Sequence, residues 1–105
     1  MKRHIETFIH PGKIFLQEVI KPNKLKISEV AERLQVSRLT VSKIVNEKSA
    51  ITPNMALRIH PVFGGSADLW VRMQNKYDMA VAIKKYHQDK PKLKRYEQVR
   101  KVASE

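Results

Sequence analysis

Cysteine is absent from this chain of 105 residues, and glycine occurs only three times. Without cysteine, neither a disulfide framework nor a thiolate metal site can form, which suits a reducing compartment. No apolar run approaches the roughly 18 residues of a membrane-spanning helix. The first residues, Met1–His10, lack the apolar stretch of a secretory signal peptide. These absences predict a cytoplasmic protein without a membrane partner.

The sequence also lacks a recognisable set of catalytic or metal-binding residues. The four histidines, His4, His10, His60 and His87, are scattered, with no pair four residues apart and no matching carboxylate cluster. Gly64-Gly65 is typical of a helix end rather than of a phosphate-binding loop. We therefore predict no enzymatic activity, no catalytic residue, no metal site and no cofactor.

Charge, by contrast, is plentiful and of one sign. The chain carries 21 Lys+Arg against 10 Asp+Glu, a formal net charge of +11. A field of that sign attracts polyanions, of which nucleic acid is the commonest. A basic protein with no nucleic-acid partner would have the same composition, so charge alone leaves both interpretations open.

Residues Ile27–Asn46 have the pattern of a helix-turn-helix motif. Apolar residues between Val30 and Leu34 form one face of a short helix, and Ser37 is a favourable N-cap for a second helix over Arg38–Val45. Gln35 lies in the turn, where a glycine usually adopts the left-handed conformation. In such a motif the second helix enters the major groove of double-stranded DNA.

The outward face of this second helix supplies the candidate DNA contacts. Arg38 can donate a fork of hydrogen bonds to guanine, Lys43 can contact a base or a phosphate, and Leu39 suits a thymine methyl group. The other candidates are short polar side chains suited to phosphate oxygens: Ser37, Thr40, Ser42 and Asn46. Purely local roles, such as helix capping by Ser37, are the alternative for this second group.

Three further helices are predicted around the motif. The first covers about residues 12–19, after Pro11. A fourth helix begins at Thr52-Pro53, and Pro61 is expected to cut or kink it early because proline has no N–H to donate. Ser66 caps a long fifth helix.

The apolar stripe of the fifth helix is wider than a small helical domain needs. It either completes the core or forms the seam of a homodimer, and different residues can serve the two purposes. The candidate seam residues are Leu69, Trp70, Met73, Tyr77 and Ile83.

The chain divides into three segments. Residues 1–9 are an N-terminal arm, strand-like or disordered, and residues 10–86 are the helix-turn-helix DNA-binding domain with its long fifth helix. Residues 87–105 are a basic tail, partly helical or disordered. From Lys84 onward, eight Lys/Arg oppose three acidic residues. A short helix over about Pro91–Ala103 would pack on the domain, bind a partner or form only transiently.

Motifs outside the helix-turn-helix make the assignment more specific. They are His10-Pro11-Gly12, the run VSRLTVSKIVNEKSAITPNMALR, and the pairs Leu69-Trp70, Met73-Gln74 and Tyr77-Asp78. Together they resemble the HigA/VapI group, the antitoxins of type II toxin–antitoxin modules within the lambda-repressor-like (XRE-type) helix-turn-helix class. The resemblance covers about His10 to Ala80. It departs from the group at Gln35, at His60-Pro61 and at Ile27, where a phosphate-contacting glutamine is common.

This resemblance implies an all-α, five-helix lambda-repressor-like domain that forms a homodimer. It also implies binding to a palindromic operator over the protein's own promoter and neutralisation of a HigB-like toxin, a small mRNA-cleaving ribonuclease of the RelE type. Since like charges in an interface repel, toxin contact is expected away from the recognition helix, at Ile5–Val19 or at the fifth helix and tail. The alternatives are a free-standing repressor without a toxin and a protein-interaction module using the fifth helix.

Overall fold

The computed structural model describes residues 8–97, and all the regular structure in that part of the chain is helical. The helices are α1 (Pro11–Phe15), continued by a π-helical segment (Leu16–Ile20), α2 (Ile27–Leu34), α3 (Arg38–Val45), α4 (Pro53–Phe63) and α5 (Ala67–Asp89). This confirms the predicted all-α fold of five helices. None of these helices is long and apolar enough to cross a bilayer. The interpretation of the N-terminal arm falls largely on residues 1–7, outside the described part.

The helices share one core, and aromatic rings hold its centre. Phe15 of α1 meets Phe63 of α4 and Trp70 of α5 edge to face, with ring centroids 5.6 and 5.8 Å apart. The aliphatic side chains buried around them include Val30, Val41, Ile44, Ile51 and Ile59. Both helices of the helix-turn-helix are therefore anchored by side chains that water does not reach.

The start of α1 is docked directly on the backbone of α3. Buried His10 caps the helix, because its Nδ1 accepts a hydrogen bond of 2.8 Å from the Gly12 N–H. A Cβ atom at Gly12 would overlap the carbonyl oxygen of Ile44. Only glycine allows so close an approach, so the His10-Pro11-Gly12 motif has a packing role.

The prediction that Pro61 cuts α4 early is wrong. The helix continues to Phe63 and ends at Gly64, whose φ of 93° favours glycine. Pro61 lacks the N–H that would bind the Leu57 carbonyl, but both residues lie on the exposed side of α4, where water can satisfy that oxygen. Buried Ile59 on the other side keeps the helix against the core.

The long helix α5 has two different halves. In the first half Gln74 is buried; its Oε1 accepts from the Ile51 N–H at 2.8 Å and its Nε2 donates to Asp78 at 3.0 Å. From Val81 to Asp89 every residue is exposed. Beyond α5, Pro91–Glu97 contains no helix, so the short helix predicted to begin at Pro91 is not observed there, and its remainder lies outside the described residues.

Candidate nucleic-acid interface

The turn between α2 and α3 is built without the usual glycine. Gln35 adopts the left-handed conformation (φ 57°, ψ 48°) that a glycine usually adopts in this turn. Its side-chain Nε2 donates to the Glu32 carbonyl at 2.9 Å, and the next backbone N–H, of Val36, donates to Ala31 at 3.0 Å. These bonds satisfy carbonyls at the end of α2 and offset a conformational cost of about 1–2 kcal/mol.

Arg58 of α4 fastens the same turn from outside the motif. Its Nη1 donates to the carbonyls of Leu34 and Gln35 at 2.9 and 3.2 Å, and its Nε donates to Asn54 Oδ1 at 2.9 Å. Arg58 was not identified from the sequence. The available signal was the Asn54/Arg58 pair four residues apart on α4, which shows a local contact but not its target.

Four of the seven predicted DNA-contacting side chains form hydrogen bonds with one another along α3. Ser37 is the N-cap, and its Oγ accepts from the Thr40 N–H at 3.0 Å and lies 2.9 Å from the Thr40 hydroxyl. Asn46 Nδ2 donates to the carbonyl and the hydroxyl of Ser42 at 2.8 and 3.3 Å. These four side chains therefore have local roles, and their hydrogen bonds fix the orientation of polar groups at both ends of α3.

The other three predicted side chains, Arg38, Leu39 and Lys43, face solvent. Leu39 is 63% exposed although it is an aliphatic residue on a short, well-anchored helix. Arg38 and Lys43 form no side-chain hydrogen bond or ion pair within residues 8–97. The opposite side of α3 is fixed in the core by Val41, Ile44 and Val45. The result is a rigid helix that presents two cations and one apolar side chain.

Two further lysines lie at the ends of the motif and were not singled out from the sequence. Lys26 is exposed at the N-cap of α2, and Lys48 is exposed just after α3, where its backbone N–H donates to the Lys43 carbonyl at 2.7 Å. They extend the basic surface beyond α3.

The five predicted seam residues of α5 do not lie together on one surface. Trp70 is only 4% exposed, and its Nε1 donates to the Gly64 carbonyl at 3.2 Å, so it belongs to the core of the single chain. Tyr77 is half-buried against the ring of His10, at 4.9 Å, and Met73 is half-buried against the core. Leu69 and Ile83 are exposed. The apolar side chains exposed on the second half of α5 are Met79, Val81, Ile83 and Tyr86.

Comparisons with known proteins agree with this geometry. The helix-turn-helix family HTH_3 matches residues 16–70. Virulence-associated protein I of Dichelobacter nodosus is 42% identical over 74 residues, which cover 70% of this chain and 68% of that protein. The HTH-type transcriptional regulator YbaQ of Escherichia coli K12 is 41% identical over 79 residues, 75% of this chain and 70% of that one. Pseudomonas aeruginosa antitoxin HigA, solved with the higBA promoter, superposes with a TM-score of 0.75 at 32% identity, over 79% of this chain and 90% of HigA.

Proposed function

Since the chain belongs to the helix-turn-helix family HTH_3, we propose that it is an antitoxin that binds operator DNA and represses its own operon. The family is one of DNA-binding regulators rather than of enzymes. The observation that carries the proposal is the outward face of α3, where Arg38, Leu39 and Lys43 are exposed on a helix whose other side is buried. The likeness to HigA, which was solved with a promoter, supports binding to DNA.

In this proposal α3 enters the major groove with its N-terminal turn against the base edges. Arg38 donates to O6 and N7 of a guanine, and Leu39 contacts a thymine methyl group. Lys43 binds a base or a phosphate. The Ser37–Thr40 and Ser42–Asn46 pairs contact phosphate oxygens with the hydrogen-bonding capacity left after their mutual bonds, and together these contacts fix the register of the helix.

The DNA-bound form is a homodimer in this proposal. Two copies of α3 must lie about 34 Å apart to reach successive major grooves on one side of the DNA. We place the seam on the exposed second half of α5, around Ile83, rather than at buried Trp70. Operator half-sites then form an inverted repeat.

The second activity in the proposal is neutralisation of a HigB-like toxin, a ribonuclease of the RelE type. It is supported by the likeness to antitoxin HigA and to virulence-associated protein I. The likeness to the transcriptional regulator YbaQ supports the alternative of a repressor without a toxin. A small basic, ribonuclease-like reading frame beside the gene distinguishes the two.

The experiment separates the two activities. Fluorescence anisotropy measures binding to DNA from the chain's own promoter, and co-expression with the neighbouring reading frame measures rescue of growth. Arg38→Ala combined with Lys43→Ala should abolish operator binding and leave rescue intact, because both side chains lie on the DNA-facing side of α3. A double variant that stays folded by circular dichroism yet loses both activities contradicts separate surfaces. If the wild-type chain showed no salt-dependent affinity for its promoter, the proposal that it is a repressor would be contradicted.

A further inference from the structure

A groove rimmed by carboxylates lies on the outer side of α2, in a chain whose net charge is +11. It consists of two adjoining depressions of about 590 and 540 Å³ that share Arg33 and Val62. Glu29 and Glu32 of α2 border the first, and Glu18 of the π-helical segment borders the second. Three of the chain's ten acidic residues are thus gathered at one place.

The second depression is also bordered by four apolar residues. Val19 and Leu25 border it from one side, and Val62 and Phe63 from the end of α4 border it from the other. Val62 is 41% exposed, and the other three are half-buried. A mixture of apolar and charged side chains of this kind is also found in protein interfaces.

Within residues 8–97 none of the carboxylates of the groove forms an ion pair, although Arg33 also borders both depressions. Within residues 8–97 the ion pairs are Arg72–Asp68 and Lys85–Asp89, both on α5. Glu29 accepts a hydrogen bond of 2.7 Å from the Lys26 N–H and so helps to cap α2. Glu18 and Glu32 have no such role in the described part and can meet charges brought by a partner.

DNA is an unsuitable occupant, because carboxylates repel phosphates. No residue of α3 borders the groove, so α3 can bind DNA while the groove is filled. A ribonuclease, however, binds a polyanion and must expose cationic residues. Charge complementarity therefore favours the toxin itself.

We propose that this groove binds a basic segment of the toxin, with its Lys or Arg side chains on Glu18 and Glu32 and an apolar side chain over Val62. The inference rests on the proposed antitoxin function. The proposed toxin site includes the end of the first helical segment, which was expected from the sequence to contact toxin. It also includes residues of α2 and of the end of α4. Toxin and operator then occupy different sides of the helix-turn-helix.

The test uses the full-length chain and the purified product of the neighbouring reading frame, held inactive by a substitution in its own active site. Isothermal titration calorimetry compares wild type with Glu18→Lys/Glu32→Lys. We expect the variant to bind at least about tenfold more weakly, because each reversal places like charges together. Glu18→Gln/Glu32→Gln should show a smaller loss in the same direction. Glu29 is left unchanged, since its loss would uncap α2.

Asp89→Lys controls for a single charge reversal, because it makes the change that each groove substitution makes, at the end of α5, where Asp89 pairs with exposed Lys85. It should leave toxin affinity unchanged. Promoter binding by the groove variants should be at least as tight as for wild type, which shows that they are folded.

The outcomes separate this inference from the function on which it rests. If wild type binds the toxin and the groove variants bind equally well, the groove is not the site although the chain remains an antitoxin. A loss confined to Asp89→Lys likewise moves the toxin site to α5 and overturns the inference. Unchanged toxin affinity with weaker self-association would show that the groove holds the basic tail of a second copy. A wild-type chain that binds no toxin overturns both.

Discussion

Arg38 and Lys43 point to solvent because the opposite side of α3 is buried in the core. Val41 and Ile44 are 1% and 4% exposed, so the helix cannot rotate without breaking the core. Gly12 adds a second restraint, because it has no side chain and the carbonyl of Ile44 therefore packs directly against α1. An arginine on so fixed a backbone loses less conformational freedom on binding than one on a mobile loop. In the proposed complex with DNA, base recognition would thus depend on single side chains held in place by packing.

The first prediction concerns Arg38. Arg38→Ala should weaken specific operator binding by about 1–3 kcal/mol and relax base preference at one position of each half-site, since a bidentate contact to guanine is lost. Stability should barely change because the side chain is exposed. Fluorescence anisotropy with a set of single-base operator variants measures both effects.

Arg72→Ala is the control for this prediction. It removes the same charge from α5, where Arg72 pairs with Asp68. It should lower affinity slightly for all sequences and leave the base preference intact. If Arg38→Ala behaved in the same way, the recognition helix would be misassigned.

At the scale of whole elements, α4 serves the helix-turn-helix as a clamp. Its Arg58 donates hydrogen bonds to the carbonyls of Leu34 and Gln35 at the end of α2. Those carbonyls belong to a turn that lacks glycine, so external donors matter more here than in a glycine-containing turn. The angle between α2 and α3 therefore depends on a residue outside the motif.

The second prediction concerns this clamp. Arg58→Ala should lower the free energy of unfolding by about 1–2 kcal/mol, because the carbonyls of Leu34 and Gln35 lose a charged donor. Operator affinity should fall as well, since the turn that orients α3 is loosened. Thermal and denaturant unfolding, followed by circular dichroism, measure the first effect.

Arg72→Ala again provides the comparison. Arg72 also bonds a side chain four residues earlier, but this pair is 58% and 77% exposed and touches no other helix. Its loss should cost less than about 0.5 kcal/mol. Equal losses for the two arginines would mean that the bonds to the turn contribute no net stability.

At the scale of the molecule, no other helix within residues 8–97 covers the second half of α5. Its exposed Met79 and Ile83 border a groove of about 340 Å³ that also includes Phe8. A contiguous apolar surface of this kind on a small basic protein commonly marks an interface. A second copy that covers it would also bring two copies of α3 onto one DNA.

The third prediction tests that assembly. Ile83→Glu should weaken both self-association and operator affinity, because a carboxylate would be buried in the apolar seam. Ile83 is 47% exposed, so the fold of the single chain should survive, whereas Met73→Glu would also disturb the core. Light scattering and operator titration give the two readouts.

The matched control is Gln88→Glu, which adds one negative charge to the same helix about 140° around its axis from Ile83, away from the proposed seam. It should change neither readout appreciably. A monomeric wild type with full operator affinity at micromolar concentration would rule out the dimer.

The helices and the motif could be read from the sequence because their signals are local. Ser37, Thr52 and Ser66 each accept a hydrogen bond from the backbone N–H three residues later, as their positions before apolar periodic segments predict. The sequence placed Gln35 in the turn but left its conformation open, and the structure shows that it is left-handed. Hydrogen bonds between residues no more than four positions apart depend on the local sequence, so they can be predicted without knowing how the helices pack.

What only the tertiary structure decided depends on residues far apart in the chain. Arg58 bonds the Leu34 carbonyl 24 residues earlier, and Gln74 bonds the Ile51 N–H 23 residues earlier. Periodicity left open whether Trp70 belongs to the core or to a dimer seam, and the positions of α1 and α4 place it in the core. Periodicity shows that a helix has an apolar side, but what covers that side is decided by how the helices pack together.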